Sequence, residues 1–261
     1  MSEEILLRHT GDGVTTLTLN RPEKRNALNA DLVAALKDAL GDTEADDTVR
    51  VVAVRGAGKD FCAGGDLAEL ERISAMSPEE NLEDARSLGA LFSRLRTFPK
   101  PVVAVIHGRA LAGGCGLATA CDLVLAHEAS ELGYPEVHLG FVPAMVMAIL
   151  RRKVTEGRAF ELVTRGHRIS AEEARRLGIV NQVFPDATFA SDVDGYLRDL
   201  ATRPPTALTL TKGLLYELGD LSFGEGIERG AEVNVEARMT EACREGVRRF
   251  LEGHRARAGG E

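Results

Sequence analysis

No apolar run in this sequence of 261 residues approaches the length of a membrane span. The opening MSEEILLRHTGDG is acidic and has no long apolar core, so a secretory signal is not expected and a cytoplasmic location is. Cysteine is scarce: Cys62, Cys115, Cys121 and Cys243 show neither metal-knuckle nor redox-motif spacing. They read as reduced, mostly buried thiols, and no metal site is expected. A basic excess is also missing. The net charge of −8 argues against a nucleic-acid binder, and the local basic runs LRRKVTEGR and VRRFLEGHRAR read as solvated helix faces or as a site for an anionic ligand or partner. No Gly-Lys-Ser/Thr triplet ends a glycine loop, which leaves ATP without its usual cradle.

What is present is the composition of a soluble globular protein, 44% hydrophobic and 28% charged. GVTTLTLN alternates like a half-buried strand, and RPEKRNALN is a polar loop feeding ADLVAALKDAL, an amphipathic helix closed by Gly41. VRVVAVRG and VVAVIHG have the near-continuous apolar character of strands covered on both faces. Between them SPEENLEDARSLGALFSRLRTF offers Ser77 as N-cap, Pro78 as first helical residue and Glu80 as capping-box partner, with Leu82, Ala85, Leu88, Leu91, Phe92 and Leu95 on one face. DLVLAHE and IVNQVFP are further strands. ISAEEARRLG carries a second box, Ser170 and Glu173, with Gly178 as the stop, and residues 205 to 255 read as amphipathic helices. Strands alternating with helices place the chain in the α/β class.

Two glycine-rich turns follow apolar strands: FCAGGDL and GRALAGGCGLATACD. In the second, Gly114 and Gly116 begin a dinucleotide fingerprint, but Thr119 stands where its third glycine belongs. Two readings remain. The glycines permit a close helix-to-strand approach, or they bare backbone N–H groups at a helix N-terminus, where partial positive charge stabilises an anion. Two such turns brought together would form an oxyanion hole for a thioester oxygen, with Ala63 and Gly113 as the natural donors. A carbonyl held this way acidifies its α-carbon, so the remaining need is a proton-transferring side chain.

RPEKRNALN, FCAGGDL, KPVVAVIHGRALAGGCGLATACDLVLA, GYPEVHLGFVP, LVTRGHRISAEEARRLGIVNQVFP and EGVRRFLEG occur in the order and spacing of the enoyl-CoA hydratase/isomerase (crotonase) superfamily, which the sequence resembles from about residue 5 to 255. The resemblance implies a crotonase-like (ClpP/crotonase) α/β fold. A spiral of β-β-α turns would occupy residues 1–200, and a helical C-terminal region, 201–261, would assemble subunits into homotrimers or hexamers made of two trimers. It implies an acyl-CoA substrate, no cofactor beyond the coenzyme A that the substrate carries, and neither a membrane nor a nucleic-acid partner. Ala63 and Gly113 would supply the oxyanion N–H groups. Glu136, in the G-x-P-E turn, would be the acid/base.

In two-glutamate hydratases the other glutamate follows the Gly-Cys of the glycine stretch, and here that position is Gly116. Single-glutamate relatives with glycine there act on branched unsaturated acyl-CoAs such as methylglutaconyl-CoA. Syn addition of water to a 2-enoyl-CoA is therefore the leading expectation. Double-bond isomerisation by one carboxylate is the first alternative, and a non-catalytic CoA-binding or assembly protein the second. By resemblance Lys24, Arg25, Ala27, Ala63, Gly64, Gly65, Asp66, Leu67, Gly113 and Gly116 line the CoA and acyl path, and Lys212 and Phe250 reach CoA from the C-terminal region. Asp66 also reads as a brace for its turn, Asp122 as structural, and His138 as a candidate second catalytic group.

Overall fold

A tight turn that does not figure among the sequence expectations opens the fold. Asp12 and Gly13 take φ of +51° and +75°, the left-handed pair that a two-residue hairpin loop requires. They join β1 (Leu6–Gly11) to β2 (Val14–Leu19) in antiparallel register. The computed structural model describes residues 4–64 and 66–258. Its further strands are β3 (Val51–Gly56), β4 (Val102–Ile106), β5 (Arg109–Leu111), β6 (Leu123–His127), β7 (Glu131–Gly133), β8 (Arg168–Ser170) and β9 (Gln182–Phe184). The main sheet has the order β1-β2-β3-β4-β6-β9, parallel from β2 onward. The second sheet runs β5-β7-β8.

Helices α1 (Ala30–Ala45), α2 (Leu67–Ala75), α3 (Pro78–Thr97), α4 (Gly113–Ala120), α5 (Ala144–Leu150), α6 (Glu156–Arg165), α7 (Ala171–Leu177) and α8 (Phe189–Ala201) connect these strands. Two main-sheet strands, β4 and β6, each hand over to a short strand of the second sheet and then to a helical turn. β4 leads through β5 to α4, and β6 leads through β7 to a 3₁₀ turn at Pro135–Leu139. The turn after β3 is abbreviated, with Cys62 making a single bridge to Ala110 before α2. This is the expected spiral of β-β-α turns.

The runs VVAV of β3 and VVAVI of β4 are apolar throughout because both faces of the sheet are covered. On one face Leu32, Leu36 and Leu40 of α1, Leu91, Phe92 and Leu95 of α3, and Leu117 of α4 form the larger core. On the other, Val193 and Leu197 of α8 meet Val51, Ala53, Val103 and Val105.

α1 does not close at Gly41 but continues to Ala45. Thr43 is buried and its hydroxyl donates back to the Ala39 carbonyl at 2.6 Å, so packing beyond the glycine outweighs the ~1 kcal/mol that an interior glycine costs a helix. On α3 the expected apolar face is buried only in its last turns, Leu82 being half exposed. The Ser77 capping box is complete: Ser77 Oγ accepts the Glu80 N–H at 3.2 Å and Glu80 Oε2 accepts the Ser77 N–H at 2.8 Å. Ser77→Ala is expected to cost about 1 kcal/mol, read as a lower urea midpoint at unchanged slope. At α7 the cap formed is Ser170 Oγ accepting from the Glu173 N–H, and Gly178 closes the helix at φ +88°.

By internal contacts the chain divides into one unit of Met1–Phe98 and Val102–Ala201 and another of Pro99–Pro101 and Thr202–Glu261. The second consists of α9 (Pro205–Glu217), α10 (Phe223–Met239) and α11 (Glu241–Ala258), with a short 3₁₀ turn between the first two. Among the described residues no helix is long and apolar enough to cross a membrane.

Candidate active site

The two glycine turns interlock. Cys62 N–H donates to the Arg109 carbonyl and Leu111 N–H to the Cys62 carbonyl, both at 3.0 Å. Gly114 sits so close that a Cβ there would lie 2.3 Å from the Cys62 carbonyl oxygen, and Gly64, at φ +101°, presses its α-carbon against Leu111 and Ala112. At these two positions the close approach that the sequence left open is real.

A third segment locks onto both. In the loop after β2, Arg25 and Asn26 adopt φ of +53° and +55°, which turns the Arg25 carbonyl onto the Ala63 N–H at 3.0 Å and the Leu28 N–H onto the Gly64 carbonyl at 2.8 Å. Asn26 is fully buried; its amide donates to the Ala57 and Asp60 carbonyls and its oxygen accepts from the Arg21 N–H. Arg21 then reaches across, donating to the Ala27 carbonyl and to Asp66 Oδ2, each at 2.7 Å.

These contacts correct one expectation: the Ala63 N–H is committed to Arg25 and does not point a free donor at a ligand. The Asp66 carboxylate braces the turn: it is buried, its Oδ1 caps α2 at the Ala68 N–H, and the Arg21 guanidinium holds its carboxyl below the usual carboxylate range. Gly65 and the side chain of Leu67 lie outside the described residues. Lys24 and Arg25 are exposed beside this turn, and Ala27 is buried.

Gly113 is the first residue of α4, and among the described residues no acceptor meets its N–H. Leu28 Cδ1 approaches to 3.4 Å of where a Cβ would stand at this position. Behind it, Thr119 Oγ donates to the Cys115 carbonyl at 2.9 Å, and Tyr134, buried at the end of β7, donates to Thr119 Oγ at 3.3 Å. β7 is thereby stapled to α4, and Pro135 and Glu136 follow directly.

Glu136 is half-buried on its 3₁₀ turn, and its Oε2 is fully buried with no partner among the described residues. Burial pushes its carboxyl up, offset in part by its own N–H. Two residues before it, Tyr134 is tied to Thr119 of α4, and the Gly133 carbonyl accepts the Ala112 N–H at 2.9 Å, so the turn that carries Glu136 follows directly from a segment bonded to both ends of α4. Burial also pushes the Cys62 and Cys115 thiols up to about 12, so both are neutral at physiological pH and neither is a nucleophile. His138 does not join Glu136 as a second acid/base, since its Nε2 meets the Gly166 carbonyl at 3.2 Å.

Gly116 is buried, and a Cβ on it would lie 2.6 Å from Val146 Cγ2 and 3.2 Å from Phe92 Cζ. The volume that a side chain there would need is filled by apolar side chains of α5 and α3. In the helical unit Lys212 is buried and its ammonium donates to the Lys100 carbonyl at 3.1 Å, which engages the charge expected to reach CoA. Phe250 is exposed and stacks on His254.

A family model described as enoyl-CoA hydratase/isomerase matches residues 9–258. A Thermus thermophilus protein named "Putative enoyl-CoA hydratase" is 44% identical over 92% of this chain and 94% of its own. The 1,2-epoxyphenylacetyl-CoA isomerase of Escherichia coli is 33% identical over 95% of each chain. Among solved structures, an enoyl-CoA hydratase of Mycobacterium smegmatis superposes with a TM-score of 0.92 at 31% identity, over 96% of this chain and 97% of that one. With the spiral, the paired turns and the buried glutamate, these likenesses make the chain a member of the enoyl-CoA hydratase/isomerase family.

Proposed function

We propose that the protein hydrates a 2-enoyl-CoA thioester, with Glu136 moving the proton. The observation that carries this reading is the buried Glu136 Oε2, without a partner among the described residues, on a turn whose preceding segment is bonded to α4. A carboxylate in that setting pulls protons strongly, and an apolar acyl chain dries the site further. The thioester oxygen accepts the Gly113 N–H. Because Arg25 occupies Ala63, the other donor is a later amide of that turn, such as that of Gly64. As water attacks C3, Glu136 accepts its proton and delivers a proton to C2; the hydroxyl stays on C3 and the carboxylate is regenerated. The names of the hydratase relatives support this reaction.

No cofactor enters beyond the coenzyme A of the substrate. Lys24 and Arg25, exposed on a loop whose backbone is pinned to the site, supply cations for its phosphates. Exposed Phe223, Ile227, Val235 and Met239 on α10 support a homo-oligomer, trimeric or hexameric, in a soluble cytoplasmic protein.

Double-bond isomerisation is the second reading, favoured by Val146 and Phe92 over Gly116, which leave one carboxylate and an apolar neighbour. Crotonyl-CoA, a branched 2-enoyl-CoA and a 3-enoyl-CoA separate the possibilities. Product heavier by one water marks hydration, and a 2-enoyl product of unchanged mass from the 3-enoyl substrate marks isomerisation. Binding of all three without turnover would sink both and leave a CoA-binding protein.

A further inference from the structure

We propose that Val146 is a specificity-determining residue that sets how the site partitions between hydration and isomerisation; this rests on Glu136 being the proton carrier. A second carboxylate is not simply missing at position 116. Its volume has been reassigned: α5 packs Val146 Cγ2 within 2.6 Å of where a Cβ would begin, and Phe92 of α3 closes in at 3.2 Å. α5 is held in this place by its own core contacts, with Val146, Ile149 and Leu150 buried and Met145 against Gly89.

The same turn of α4 thus has two unlike sides. The Cys115 carbonyl is tied through Thr119 to Tyr134, two residues before Glu136, while Gly116 faces a valine methyl and a phenylalanine edge. A water molecule needs two to four polar partners to be held in place. The side chains that meet Gly116, Val146 and Phe92, offer none, so an attacking water is oriented from the Glu136 side.

Isomerisation of a 3-enoyl-CoA asks for no water. Glu136 removes a C2 proton, the electron pair delocalises onto the thioester oxygen, and the same proton returns to C4. The double bond moves to C2–C3 and the carboxylate is restored. Val146 therefore restrains hydration without touching this path.

The test uses the full-length protein with a 3-enoyl-CoA and a 2-enoyl-CoA, scoring both products for wild type, V146T, V146A and G116E/V146A, with E136Q as reference. V146T keeps the volume and adds a hydroxyl; V146A only removes methyls and carries the test should V146T not fold, as judged by thermal melting. The ratio of hydrated to isomerised product is expected to rise several-fold in V146T. G116E/V146A is expected to gain about 10-fold in hydration over V146A, a fraction of the ~10²- to 10⁴-fold that a well-placed acid/base group supplies. Unchanged ratios in folded Val146 variants, with E136Q inactive, overturn the role of Val146 and leave the reading of Glu136 standing. Full activity in E136Q overturns that reading and the partition role together.

Discussion

Glu136→Gln is expected to lower kcat by about 10²- to 10⁴-fold while raising the melting temperature at neutral pH. Both effects have one cause. The carboxyl is buried with Oε2 unpartnered, so its charged form is disfavoured in the folded protein and its pKa is displaced upward. A group displaced in this direction contributes stability that is full below the ordinary glutamate value of about 4.3 and is lost as pH rises through the folded value. At neutral pH the folded protein therefore carries an uncompensated buried charge, and glutamine removes it while keeping the shape. The same displacement shapes the rate: kcat/KM is expected to fall on the acid side as Glu136 becomes protonated, with its midpoint above 4.3. Calorimetry of the variant beside its pH–rate profile decides. A variant of wild-type activity, or one that melts lower at pH 7 and shares the wild-type acid limb, would remove Glu136 from the chemistry.

The main sheet was legible in the sequence because the residues of β3 and β4 are buried on both faces, and near-continuous Val and Ala follows directly from that. The short strands β5, β7 and β8, three residues each, left no period to read. Glu136 could be found because the turn that carries it has a local pattern. Its isolation could not, since an unpartnered oxygen depends on what fails to approach.

The Ala63 expectation failed for a related reason. Small residues at a strand end say that backbone is bare, but not which N–H a distant carbonyl will take, and here the left-handed Arg25 and Asn26 deliver one from 38 residues upstream. Lys212, expected by resemblance to reach CoA, is buried, and the Lys100 carbonyl accepts from its ammonium, a contact that no local pattern announces. At Gly116 the chain's own pattern named a missing side chain. Only packing shows that Val146 and Phe92 take the space.

Arg109→Ala is expected to cost about 3–5 kcal/mol of folding stability, because it strands a buried partner charge. Asp60 is 2% exposed. Arg109 holds it with Nε on Oδ1 and Nη2 on Oδ2, each at 2.8 Å, and with its own N–H at 3.0 Å. Burial by itself would push the Asp60 carboxyl up, and the fork of Arg109 more than reverses this, leaving it below the ordinary range. In the wild type the pair's stability is therefore present above the unfolded aspartate value of about 3.9 and lost as pH falls through the lower folded value. Without the guanidinium only the backbone N–H remains, and a nearly dry carboxylate is stranded at the start of β5. That strand is the partner of Cys62 and leads into Gly113, so the loss falls on the alignment of the two glycine turns as well as on the fold. D60N/R109M, which removes both charges, should recover most of the stability, because neither partner is then left unpaired. Urea melts at pH 7 and pH 5 provide the measurement: R109A losing less than 1 kcal/mol, or the double variant falling as far as R109A, would show that the ion pair does not hold these turns together.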